Sequence, residues 1–135
     1  MIVSLLCTSL RAAAKVETKL LGLNTLLRAA AYVDDELCLD RIAPFVIAML
    51  SDPSSVVQAE AIDTLADFFQ DRKIPRSDQR IFVDYVFPNI GKAASSPDSI
   101  VRIALARSLP LLAEAAVICY EASQVGCSGT VRMLC

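Results

Sequence analysis

The chain has 135 residues, enough for one ordinary domain or a few small repeats around a buried core. Hydrophobic residues make up 55% and charged residues 21%, an apolar excess over the usual ~45–50% that points to faces meant for a neighbour. The net charge of −2 gives no clustered basic footprint for phosphate backbones and argues against nucleic acid, and the absence of histidine excludes histidine bases, Ser-His and Cys-His pairs and His-containing zinc sites.

The opening MIVSLLCTSLRAAAK has the apolar run and small residues of a secretory signal but no basic region before them, and the spacing from Val3 to Leu10 fits an amphipathic helix better. That spacing predicts a first helix over about Ile2 to Ala13. A second follows over about Glu17 to Tyr32, with Leu20, Leu23, Leu26 and Leu27 as its apolar stripe. Asp34 reads as an N-cap with Asp35 and Glu36 in the first turn of a third helix, about Asp35 to Leu50. Ser51-Asp52-Pro53 closes it and opens a fourth, about Ser54 to Gln70, with Pro53 in the first turn, where its missing N–H is no loss. The polar DRKIPRSDQR, residues 71–80, is a loop. Helix five covers about Ile81 to Ala94 and helix six about Pro97 to Glu121, with Pro110 expected to kink or interrupt it. Arg102, Arg107 and Glu114 punctuate its apolar run, which argues against a membrane span. The class is all-α.

Two stretches, SDPSSVVQAEAIDTL from Ser51 and SSPDSIVRIALARSL from Ser95, repeat one pattern. A shift of 44 residues without a gap sets Pro44 on Pro88, Ser51 on Ser95, Pro53 on Pro97, Val57 on Val101 and Leu65 on Leu109. A shift of 39 recovers a weaker first copy, with Lys19 on Gln58, Gly22 on Ala61 and Leu26 on Leu65. Two helices per unit at a period of roughly 40–45 is the range of HEAT and armadillo units, not the ~34 or ~33 of tetratricopeptide and ankyrin units. The expected architecture is therefore an α-solenoid of about three HEAT-type helix pairs, an armadillo-like superhelix over residues 1–124, with units near 1–32, 34–70 and 81–121.

Chemistry-bearing patterns are sparse. Asp34, Asp35, Glu36 and Asp40 are explained by a helix start without a metal or acid–base role. Cys7, Cys38, Cys119, Cys127 and Cys135 are odd in number and form no CxxC pair, so they read as reduced, mostly buried thiols. Cys38 near a helix start has no base beside it in sequence. No Walker, dinucleotide, zincin or nucleophile-elbow motif occurs, so catalytic residues, cofactors and metals are expected to be none. Arg72, Lys73, Arg76 and Arg80, set against Asp71 and Asp78, are candidates to meet an acidic partner or anionic lipid, with a solvated loop as the plainer reading. Arg102 is a fifth candidate. It stands where HEAT units often carry a basic residue, a place held by Gln58 and Lys19 in the other copies; the acidic partner position is Asp52 in the middle unit but Ser96 in the last, so the ladder is incomplete.

The stretches KLLGLNTLLRAA (Lys19 to Ala30), LDRIAPFVIAMLSD (Leu39 to Asp52), VVQAEAIDTL (Val56 to Leu65), IFVDYVFPNI (Ile81 to Ile90) and IVRIALARSLPLLAEAA (Ile100 to Ala116) together resemble the HEAT-repeat region of the regulatory-subunit family of class III phosphatidylinositol 3-kinase. The resemblance implies a non-catalytic scaffold. Its partners would be the lipid kinase catalytic subunit and a Beclin-type subunit, in the cytoplasm and peripherally on endosomal or autophagic membranes, with only indirect membrane contact. The family's kinase-like domain is not in this sequence, and Ile2 stands where its myristoylation signal has Gly. A free-standing helical adaptor or lipid-surface module is the alternative. The tail VGCSGTVRMLC, residues 125–135, departs from the solenoid pattern and is expected to be disordered.

Overall fold

The computed structural model describes residues 2–70, 72–75 and 78–134, with side chains described as far as Val125. The described residues form six helices and no strand. These are α1 (Ile2–Ala12), α2 (Val16–Ala30), α3 (residues 35–49), α4 (Ser55–Gln70), α5 (residues 82–94) and α6 (Ser99–Leu134). The first helix of each pair packs on the second, α1 on α2, α3 on α4 and α5 on α6. The second helices stack side by side with α4 in the middle, touching both α2 and α6. The fold is all-α and solenoid-like, as the 44-residue self-match leads one to expect.

The central position of α4 follows from its sequence. Val57, Ala59, Ala61, Ile62, Leu65, Ala66, Phe68 and Phe69 wrap most of its circumference, and all are buried. A helix that is apolar nearly all round has to be covered on several sides. Each fully buried Leu, Ile or Phe contributes roughly 1.5–3 kcal/mol, so this helix is the largest single source of core stability. Its end starts an aromatic chain into the third pair, with ring centroids 4.9 Å apart for Phe69 and Phe82 and 5.9 Å for Phe82 and Phe87. In α2, Gly22 lets α1 approach closely: a Cβ there would lie 2.0 Å from a Leu10 methyl.

Where plain α-helix was expected at α3 and α5, both contain a π-helical turn. In α3 it is Cys38–Ile42, between Asp35–Leu37 and Ala43–Met49; in α5 it is Phe82–Val86, before Phe87–Ala94. The closing bonds run from the Ala43 N–H to the Cys38 carbonyl and from the Phe87 N–H to the Phe82 carbonyl. The next residue in each case is Pro44 or Pro88, at the same place in the 44-residue register. Proline supplies no N–H and its ring crowds the carbonyl four residues back, so widening the preceding turn relieves the clash without ending the helix.

Three further expectations are corrected. Pro53 and Pro97 do not begin helices, because α4 starts at Ser55 and α6 at Ser99. The backbone of Ser54 and Asp98 receives the first helical bonds, from the Gln58 and Arg102 N–H groups, so each proline stands just outside its helix. Pro110 does not interrupt α6, which continues through it. Pro110 and Ala106 are both exposed, so the carbonyl that loses its donor can be hydrated. Asp34 occupies the N-cap position of α3 but makes no side-chain capping bond. The expected disordered tail, 125–135, falls mainly on residues whose side chains lie outside the described set.

Candidate partner-binding surface and its seams

The seam between the first and second pairs is charged and enclosed. Lys19 on α2 donates from Nζ to Asp52 Oδ2 at 2.5 Å, in the turn between α3 and α4. The other oxygen, Oδ1, accepts the Ser54 N–H at 3.0 Å, and Gln58 Nε2 donates to the Asp52 carbonyl at 2.6 Å. Only 5% of the Asp52 side chain is exposed. Burial alone pushes that carboxyl up, but the bonds from Lys19 and Ser54 and the Lys19 charge together hold it below the ordinary carboxylate value. The ladder that looked incomplete in sequence thus has a full rung at this seam.

Arg72 closes the far end of the same seam. Its guanidinium donates to Asp35 Oδ1 at 2.9 Å and to the Ala30 carbonyl, and its centre lies 4.8 Å from the Phe68 ring centroid. A loop cation read as a partner contact is therefore spent inside the molecule, joining α2, α3 and α4. Cys38 lies beside it, buried, and its thiol reaches the Ala30 carbonyl at 3.6 Å. Burial pushes that thiol up, against the opposing charge of Arg72, which keeps it from acting as a thiolate nucleophile.

The seam between the second and third pairs is built differently. Asp63 on α4 accepts the Ser108 hydroxyl at 2.7 Å and an N–H of Arg107, both from α6. Arg107 is 66% exposed. At the turns, Gln58 and Arg102 occupy one register position and do the same work: Arg102 Nη1 donates to the Ser96 carbonyl at 2.6 Å, as Gln58 does to Asp52. Arg102 therefore braces its own turn and does not reach across to a neighbour. Gln58 and Ser96 stand where the first seam has Lys19 and Asp52, and the turn region holds an open cleft of about 450 Å³ lined by Leu50, Pro53, Gln58, Lys92, Ser96 and Asp98. The Ser55 hydroxyl and the Ile100 N–H lower the Asp98 carboxyl below its usual value.

The five basic candidates are thus not brought together. Arg72 is in the first seam, and Arg102 is at the α6 turn. Arg80 pairs with Asp84 one helical turn on, Nε to Oδ2 at 3.0 Å, and Arg76 lies outside the described residues. Lys73 is exposed, on the rim of a second cleft of about 450 Å³ walled by Phe69, Ile74, Ile118 and Cys119. The carboxylates near Asp34 do not converge either, and no group of three or more Cys, Asp or Glu able to hold a metal occurs among the described residues.

Sequence reasoning missed Asp63 and Ser108. The available signal was the alignment itself, which sets Thr64 on Ser108, both polar and both buried in otherwise apolar stretches. It also gave too little weight to the outer side of α6. An 18-residue window within residues 99–125 has a mean hydropathy of 1.6, so the helix is long and apolar enough to cross a membrane by composition, yet α6 packs along α4 and leaves Ile103, Val117 and Tyr120 outside.

Paired helices, aligned second helices and seams made of inter-pair hydrogen bonds define a HEAT-type α-solenoid segment. Comparison with known proteins narrows the class: the model of the family described as PIK3R4-like, middle domain, matches residues 2–131. A curated "Serine/threonine-protein kinase VPS15" of Arabidopsis thaliana is 32% identical over 131 residues, covering 93% of this chain and 9% of the relative. A "Probable serine/threonine-protein kinase vps15" of Dictyostelium discoideum is 35% identical over 104 residues, 75% of this chain and 5% of the relative. The Saccharomyces cerevisiae VPS15 is 34% identical over 89 residues, 65% and 6% respectively. The chain belongs to the PIK3R4-like family, as a segment of its middle domain, the regulatory-subunit region of class III phosphatidylinositol 3-kinase that its residues resemble. It spans less than a tenth of the length of these relatives. The matched segment is not their kinase domain, and six helices without a strand among the described residues are not a kinase fold.

Proposed function

We propose that this chain is a non-catalytic scaffold segment of a class III phosphatidylinositol 3-kinase complex, holding the lipid kinase catalytic subunit and a Beclin-type subunit for endosomal sorting and autophagy. The carrying observation is the middle-domain match over residues 2–131, laid on a stack whose polar side chains are committed to its own seams. A solenoid of this kind offers shape and apolar edges, which suit protein partners. Its place is the cytoplasm, on endosomal or autophagic membranes through the complex. The lipid-surface alternative rests on the Arg72 to Arg80 cations, and two of them, Arg72 and Arg80, already have carboxylate partners.

The test is co-expression of the tagged chain with the catalytic and Beclin-type subunits. Co-purification of both through a salt wash is the expected result. Recovery of neither, with the chain itself folded by circular dichroism, would sink the proposal.

A further inference from the structure

The turn inside the third pair, Ser95 to Asp98, repeats the turn inside the second, Ser51 to Ser54, with a serine in place of an acid: in the 44-residue register Asp52-Pro53 becomes Ser96-Pro97. The two side chains hold the same backbone position. Asp52 Oδ1 accepts the Ser54 N–H at 3.0 Å, and Ser96 Oγ accepts the Asp98 N–H at 3.3 Å. Each also has the same brace on its carbonyl, from the side chain six residues on, Gln58 or Arg102. What Ser96 lacks is the charge with which Asp52 holds Lys19 of the preceding pair across the first seam.

The surroundings of Ser96 suit the addition of that charge as a phosphate. Of the six prolines in the chain, Pro97 is the one preceded by a hydroxyl residue, and Ser-Pro is the dipeptide that proline-directed kinases read. Ser95, Pro97, Asp98 and Ser99 are exposed, and residues 95–98 belong to no helix, so none has to unwind for the segment to enter a kinase cleft. Ser96 lines the cleft of about 450 Å³ at the second seam, which has ample room for a phosphoryl group. Cations are at hand: Arg102 Nη1 already lies 2.6 Å from the Ser96 carbonyl, and Lys92, in the last turn of α5, lines the same cleft. Across the seam Gln58, at the place of Lys19, uses one amide N–H on the Asp52 carbonyl and has a second to give. The neighbouring carboxylate, Asp98, is turned to the Ile100 N–H and the Ser55 hydroxyl. We infer that Ser96 is a phosphorylation site for a proline-directed protein kinase, and that its phosphate supplies at the second seam the acid that Asp52 supplies at the first. The Ser96 hydroxyl oxygen attacks the γ-phosphorus of ATP, the bond from that phosphorus to the β,γ-bridging oxygen breaks, ADP leaves, and the hydroxyl proton passes to the kinase's base. A phosphoserine carries a charge of about −1.5 to −2 and three acceptor oxygens, enough to take Lys92, Arg102 and Gln58 together and draw the cleft closed.

The test is incubation of the full chain with a recombinant mitogen-activated protein kinase and ATP, read by tandem mass spectrometry and by amide hydrogen exchange. One phosphate per chain is expected, on Ser96, and Pro97→Ala should abolish its incorporation with helix content unchanged. In the phosphorylated chain, exchange over residues 95–102 should slow by about tenfold, the equivalent of one charge-assisted hydrogen bond. The double variant Lys92→Ala with Arg102→Ala should take up phosphate as the wild type does and lose that slowing, which separates the modification from the closure it brings. A folded chain that takes up no phosphate, or takes it on Ser95 or Ser99 with Ser96 unmodified, overturns the site. Exchange that stays unchanged once Ser96 is fully phosphorylated overturns the role at the seam.

Discussion

The two seams of this molecule join the same kind of helix pair and use opposite means. The first, between α2 and the second pair, puts a lysine and an aspartate in an enclosed turn and adds a mostly buried arginine at the other end. The second sets its ion pair at the surface and leaves a cleft where the first has its rung. The stacking geometry is common because the apolar faces are common. The polar complement is free to vary, and with it the sensitivity of each seam to mutation, salt and acid.

That contrast can be broken at the first seam with the largest effect. Asp52→Ala should cost about 3 kcal/mol in urea unfolding, since it strands a mostly buried Lys19 and leaves the Ser54 N–H without its acceptor. Arg72→Ala should cost about 2 kcal/mol by loss of the Asp35 pair, the Ala30 bond and the contact over Phe68, and Arg72→Lys should recover only part of it, because one ammonium does not reproduce the fork. A loss under about 0.5 kcal/mol at either position would remove the distinction between the seams.

Acid sharpens the same comparison. The Asp52 carboxyl is lowered in the folded chain, so its contribution is complete above the unfolded value of about 4 and is lost as pH falls through the lower folded value. Asp52→Asn should flatten that part of the acid unfolding curve. An unchanged curve would show that the carboxylate is not held by its seam.

Smaller effects are expected at the second seam. Ser108→Ala removes one buried hydroxyl bond to Asp63 and should cost about 1 kcal/mol. Arg107→Ala should cost no more than about 0.5 kcal/mol and less at high salt, because the arginine is mostly in water. Importing the first rung into the second seam, Gln58→Lys with Ser96→Asp, should return up to about 1 kcal/mol with a non-additive double-mutant cycle. Strict additivity would mean that the two turns do not meet.

Much of this was legible in the chain. The six helices start within a few residues of their expected positions because apolar spacing and turn residues act locally, and the 44-residue match gives the pairing, whereas the last helix runs on past its expected end near Glu121. The π-helical turns were not legible as such, although Pro44 and Pro88 marked them. A proline announces a strained turn without saying whether the helix ends, bends or widens. Arg72 was misjudged for a different reason: its partners Ala30 and Asp35 are 42 and 37 residues away, and composition made its segment look solvated.

Residue type and spacing along the chain set the helical class, the 44-residue repeat and the absence of histidine chemistry, because none of these depends on how distant segments meet. Tertiary structure alone decided which charges are enclosed and which are wet. Lys19, Arg72 and Arg107 are alike as residues, and their different roles arise from what the stacking of distant helices places around them and how much water it leaves.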